Sequence, residues 1–267
     1  MVDPGTGLTI LGTAIGGGKL IEKVLGPTAE YLGAGVKDWT EKRVAQTKRI
    51  FETASKKLGD SPPDGAVPPR VLRDVLNDGS LRDDDVSTAY YGGILASSRS
   101  EIPRDDRAAA FSALIGRLTS YQLRAHFVFY RTFYDLFHGN DLNLLGGNAR
   151  QKCRFFIPID EYMSVMDLSS GEDHNAIFSH VVYGLHRESL IDDRFGFGGS
   201  DALKSCKNIP EGSKNILIPP AALGVELFLW SNGHATSDAN EILRADLDFK
   251  DVGIGQCKSA QRCNSAT

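Results

Sequence analysis

Between Ser169 and Gly233 the chain changes hydrophobic period twice, from helix to strand and back. That order restricts the folds open to it more than any other stretch does. Ser169 and Glu172 form a Ser-x-x-Glu start signal, and Ile177, Val181, Val182, Leu185 and Leu190 follow at helical spacing, so a helix is predicted over 172–188. Asp193-Arg194-Phe195-Gly196-Phe197 reads as a strand entering a turn, with Asn215-Ile216-Leu217-Ile218 as its return strand. Pro219-Pro220 cannot continue a ladder and is placed to start a helix over 221–230, closed by Asn232-Gly233.

Everything upstream reads as helices built to pack. Residues 5–35 are rich in glycine yet carry Leu8, Ile10, Leu11, Ile15, Leu20, Ile21, Val24 and Leu25, and Gly12 and Gly16 make a G-x-x-x-G. Lys19 interrupts the uncharged run well short of the ~20 residues a membrane span needs. Two readings remain: a helical hairpin packed on the body or on another copy, and a segment that inserts peripherally into a membrane. A helix is predicted over 36–58, with Val36, Trp39, Val44, Ile50, Phe51, Ala54 and Leu58 in one sector and Lys37, Lys42, Lys48, Arg49 and Lys56 opposite. From Lys37 to Lys57 there are seven basic and three acidic residues, a local charge of +4 that suits anionic lipid, phosphate or plain solvation.

Residues 59–67, with Pro62, Pro63 and Gly65, read as a linker. Pro68-Pro69 opens a short helix that stops at Asn77-Asp78-Gly79, and Ser80-x-x-Asp83 is read as the start of the next, running to about Ser98. Asp83, Asp84 and Asp85 suggest a metal site, but negative charge in a first turn is what the helix dipole favours. Asp105-Asp106 repeats the arrangement, and Thr119-x-x-Gln122 is a capping box for a helix carrying Leu123, Phe127, Tyr130, Phe133, Tyr134 and Phe137. That density of rings marks a core element able to bury surface against two neighbours. Residues 141–150 read as a loop, and 154–158 as a strand that Pro158 confines to a sheet edge. A helical turn or two is expected over 161–166, a polar helix over 238–243, and disorder from Ile254.

Composition narrows the functions. The chain has 267 residues, 41% of them hydrophobic, enough to bury one sizeable core or two smaller ones. A net charge of -4 gives no global attraction to nucleic acid or anionic membrane. Cys153, Cys206, Cys257 and Cys263 show no C-x-x-C spacing, and the start Met1-Val2-Asp3-Pro4 has no basic region ahead of its apolar run. The expected location is therefore the cytoplasm, with free thiols and with peripheral contact at the inner membrane as the variant; the role of Cys257 and Cys263 stays open.

Residues 67–130 resemble the abortive-infection alpha family, Abi-alpha, of uncharacterised bacterial proteins. Pro68-Pro69-Arg70-Val71-Leu72 is similar to the family's short helix, Leu81-Arg82-Asp83-Asp84-Asp85 to its acidic helix start, and Tyr91-Gly92-Gly93-Ile94-Leu95-Ala96 to the segment that follows. Where the family tends to have a Trp-Ala pair before its leucines, this chain has Tyr91 and Gly92-Gly93. The resemblance implies a link to bacterial phage defence and supplies no catalytic residues.

Site chemistry is sparse. His174, His180 and His186 recur every six residues, rotating each ring ~240° around a helix, so they do not converge as metal ligands. Phe137-His138-Gly139-Asn140-Asp141 sets a base beside a carboxylate, but Gly139 at a helix end explains it, and no nucleophile elbow, P-loop or dinucleotide fingerprint has its required setting. From Glu172 to Lys214 there are seven acidic and five basic residues, a local -2. On the helix only Arg187 could neutralise phosphate, with Lys204, Lys207 and Lys214 as a basic wing.

The fold expected is mainly α: a glycine-rich helical arm (1–58), a helical domain (68–140), and a C-terminal winged-helix-like module (151–250) carrying a small β-hairpin, then a disordered tail (251–267). The leading reading is a non-enzymatic bacterial defence protein of abortive-infection type, acting on a protein partner, on itself or on a membrane through an arm that uses Gly12, Gly16, Trp39, Lys42, Lys48 and Arg49. A nucleic-acid-binding module using Arg187, Lys204, Lys207 and Lys214 ranks below it, beside a purely structural assembly protein. No cofactor, metal or small-molecule substrate is inferred.

Overall fold

The computed structural model describes Lys23 and residues 41–60, 62–102, 104–235, 238–249 and 252–264, with Glu41 and Lys42 as backbone only. Nine α-helices and a four-stranded antiparallel sheet lie among these residues. They form two compact units: residues up to Leu118 with 229–235, and 119–228 with the chain beyond 235. No helix among the described residues is long and apolar enough to cross a membrane.

The first unit contains α1 (Glu41–Leu58), α2 (Pro69–Asn77), a 3-10 turn at Gly79–Leu81, α3 (Asp85–Ser97) and α4 (Arg107–Arg117). Helix α1 buries Gln46, Thr47, Ile50, Phe51 and Ala54 on one side, as its periodicity predicts. Pro69 takes the first helical position of α2, where a missing N–H costs nothing. The start of α3 differs from expectation. Ser80 lies in the 3-10 turn, and the cap is Asp84, whose carboxylate accepts from Ser87 N at 2.8 Å. Asp85 pairs with Arg49. The acidic run therefore caps a helix and ties it to α1. Helix α3 is buried from Val86 to Ser97, so it is a central element rather than a one-faced amphipathic helix.

Helices α5 (Ser120–Phe137), α6 (Gly147–Lys152), α7 (Ile159–Met166) and α8 (His174–Arg187) belong to the second unit; α9 (Ala222–Ser231) begins there and contributes its last residues to the first. The Thr119/Gln122 capping box is present in full: Gln122 N donates to Thr119 Oγ1 and Thr119 N to Gln122 Oε1 at 2.9 Å. Strands β1 (Phe155–Pro158), β2 (Gly196–Gly198), β3 (Asn215–Ile218) and β4 (Gln261–Arg262) are ordered β2-β3-β1-β4. Ile216 opposes both Phe197 and Ile157.

Four expectations fail here. Strand β1 is central, not an edge: it pairs with β3 along its length and with β4 only at Phe155 and Phe156. Pro158 is tolerated because β4 ends before reaching it, so no ladder donor is missed on that side. The segment expected to be disordered from Ile254 supplies β4 and buries Cys257, Ala260 and Cys263. Residues 147–150, read as the end of a loop, begin the short α6. Helix α8 begins at His174 because Asp173 caps it, accepting from Asn175 N and Ala176 N; Ser169 and Glu172 instead close a turn, Ser169 N donating to Glu172 at 2.6 Å.

Candidate functional site, an aromatic and cationic face of the second unit

Helix α8 has two unlike sides. Val181, Val182, Gly184 and Leu185 are buried, with Gly184 set against Gln122 of α5, whose Nε2 donates to His180 O at 3.3 Å. The opposite side exposes Ala176, His180, Tyr183 and Arg187, spaced to fall on one face. Tyr183 is 55% exposed and meets Phe195 edge-on at 5.7 Å, while the His186 ring lies 5.2 Å from the same Phe195.

Strand β2 meets the same helix through Phe178. Gly196 and Gly198 lie against Leu203 and Ala202, where a Cβ would clash, so Phe197 is the one side chain larger than hydrogen on the strand. It is 42% exposed and meets Phe178 of α8 in a T-shaped contact at 5.2 Å. Phe178 in turn packs edge-on against Tyr162. Rings fixed by neighbouring rings, with faces left to solvent, suit docking: they offer large apolar area with little side-chain entropy left to lose.

Charge around the face is mixed. Arg187, 68% exposed, pairs with Glu188 at 3.3 Å. Arg194 is exposed beside Asp192 and Asp193. The hydrogen bond that the Asp192 carboxyl donates to the Asp193 carboxylate, together with burial, raises the pKa of Asp192, while the same bond holds Asp193 low. Lys204, Lys207 and Lys214 are exposed in the connection between β2 and β3, and none forms an ion pair among the described residues. Lys204 and Lys207 flank Cys206, with Lys207 N bonded to Asn264 O, whereas Lys214 leads into β3. Arg187 stands apart from them in sequence and local setting, at the C-terminal end of α8.

Of the arm residues, Gly12, Gly16 and Trp39 lie outside the described residues, as does the side chain of Lys42. Lys48 pairs with Glu52 at 3.8 Å. Arg49 reaches Gln46 Oε1 at 3.1 Å, Asp83 O at 3.2 Å and the Asp85 carboxylate, so within the first unit it fastens α1 to the start of α3. The three spaced histidines go separate ways: His174 to Ser169 O, His180 to Thr119 Oγ1, His186 to Phe195. His126 is fully buried on α5 with Nε2 against Gly224 O, and burial pushes its pKa down to about 3.

Sequence reasoning missed the aromatic face. Phe195-Gly196-Phe197-Gly198 carried the signal, since an aromatic between two glycines on a hairpin has no large neighbour on its own strand to cover it. No family model, curated protein or solved structure matches this chain.

Proposed function

We propose that this protein is a non-enzymatic bacterial phage-defence protein of abortive-infection type that works by making contacts. In this reading residues 1–40 act on a protein partner or a membrane surface, and the α8–β2 face of the second unit holds a protein partner that controls them. One observation carries the docking role: Tyr183 and Phe197 stay substantially exposed although ring contacts hold each in place, an arrangement that exposes apolar area without gaining stability from it. The link to defence rests on the likeness of residues 67–130 to Abi-alpha. Phage plating and host growth test both parts, using the full chain, a chain lacking residues 1–35, and a Tyr183→Ser/Phe197→Ser chain. Protection or toxicity lost in both variants, with folding intact by circular dichroism, is the expected result. Protection unchanged in both would remove this reading.

A second reading has an observation of its own. Lys204, Lys207 and Lys214 are exposed and unpaired among the described residues, on the connection of a β-hairpin that follows α8, which is where a winged-helix-like module would carry a basic wing. Retention on DNA or RNA that falls steeply with salt, and is lost when all three lysines become alanine, would replace docking with nucleic-acid binding.

A further inference from the structure

The four buried thiols are reactive groups that the reading above leaves unused. Cys153 hydrogen-bonds within its own helical turn, to Ala149 O at 3.3 Å, and burial pushes its thiol up to about 11. Cys257 is also buried, and burial pushes its thiol up to about 12. Cys206 and Cys263 differ. They share one buried cluster with Phe156, Leu203, Ile209 and Leu217, in which Cys206 Sγ donates to Asn208 Oδ1 at 3.3 Å. Backbone bonds align their segments: Lys207 N donates to Asn264 O at 2.9 Å, Asn208 Nδ2 to Arg262 O at 2.9 Å, and Asn264 N to Asn208 Oδ1 at 2.8 Å. Cys263 Sγ lies 3.8 Å from Ser205 O, the carbonyl just before Cys206. The bond from Lys207 N to Asn264 O sets Cys263 opposite Asn208, two residues from Cys206, and both thiols enter the same apolar cluster.

We propose that Cys206 and Cys263 are a dithiol that a hydroperoxide closes to an intramolecular disulfide, fastening the C-terminal segment that carries β4 to the β2–β3 connection. One thiolate attacks the terminal peroxide oxygen and breaks the O–O bond, giving a sulfenic acid and, with hydrogen peroxide as oxidant, one water. The second thiolate attacks the sulfenic sulfur, forms the S–S bond and expels hydroxide, which takes a proton to give a second water. Both sulfurs are oxidised and the two peroxide oxygens are reduced. Burial pushes the Cys263 thiol up to about 12, with the Arg154 guanidinium opposing it, so closure is slow and demands a sustained oxidant. The link would restrain Lys204 and Lys207, two residues before and one after Cys206 in the exposed connection.

Peptide mapping of the full chain tests this. Reduced protein is treated with hydrogen peroxide, its remaining thiols are alkylated in denaturant, and the digest is read by mass spectrometry. The expected product is one linked Cys206–Cys263 peptide, two hydrogens lighter than its parts, with Cys153 and Cys257 still alkylated. A Cys153→Ser/Cys257→Ser chain should form the same link. The proposal fails if the pair is still fully alkylated after a peroxide dose that oxidises the thiols of the urea-unfolded chain. It fails equally if the links formed use Cys153 or Cys257.

Discussion

Helices α3 and α5 are the central helices of their units, and they solve the same packing problem in opposite ways. Helix α3 brings backbones together. A Cβ on Gly92 would lie 2.7 Å from Thr53 Cγ2, and one on Gly93 only 1.8 Å from Ser231 O. Two adjacent glycines cost a helix ~2 kcal/mol against alanine. They are retained because α1 lies close on one side and residue 231 on the other. Helix α5 keeps its neighbours at ring distance. Phe129 stacks on Tyr162 at 5.6 Å, Phe127 meets Phe228 at 5.7 Å, and Tyr134 meets Phe249 edge-on at 4.8 Å. One helix gains from approach and the other from volume, so the two should fail differently under substitution.

The largest effect expected comes from breaking the approach. Gly93→Ala should destabilise the first unit by about 4 kcal/mol in thermal or urea unfolding, against a propensity gain of ~1 kcal/mol, because the obstructing atom is backbone. Gly184→Ala is the matched control. Its Cβ would lie 1.9 Å from Gln122 Nε2, nearly the same overlap, but a side chain can turn away, so about 1–2 kcal/mol is expected, chiefly from disturbing the Thr119/Gln122 cap. Equal losses in the two variants would refute the distinction.

On the aromatic side, Tyr130→Phe keeps the ring and removes the hydroxyl, which donates to Leu190 O at 2.6 Å and accepts from Ala221 N at 3.0 Å. A loss of about 2 kcal/mol in urea unfolding is expected, since a buried carbonyl and a part-buried N–H lose their partner. A loss under 0.5 kcal/mol would show that ring volume alone holds α5.

Acid should weaken the second unit through His126. Its folded pKa, near 3, lies below the ordinary ~6.5, so between those values the unfolded chain binds the proton that the folded chain refuses. Stability contributed by the neutral ring is complete above pH ~6.5 and is lost as pH falls toward 3, at up to ~1.4 kcal/mol per pH unit. Urea unfolding of His126→Gln at pH 7 and pH 5 should show a shallower decline than the parent chain. The smallest effect is expected at Lys48→Ala, where the half-exposed Glu52 pair should be worth under ~0.5 kcal/mol and fade further in salt.

How far the sequence could be read depended on the range of the interaction involved. Thr119, Gln122, Pro69 and Gly233 each act on backbone within a few residues, and the helix edges they mark were correctly placed. Within the acidic run 83–85 the capping role was legible, but the capping residue was not, because Ser80 bonds back to Leu76 instead of forward. For the candidate face, α8 and the glycine-flanked Phe197 were visible, but their meeting through Phe178 was not.

What the sequence determined by itself was a mainly helical chain, the cap of α5, the stops of α2 and α9, and the order helix, strand, strand, helix across 169–233. Tertiary structure alone decided that β1 is central, that the last described residues give β4, that Gly92 and Gly93 let backbones approach, and that Cys206 lies beside Cys263. The physical reason is one of distance along the chain. Caps and turns are satisfied by atoms a few residues away, whereas strand partners, close approaches and thiol pairs join residues far apart in sequence, whose meeting only the folded packing specifies.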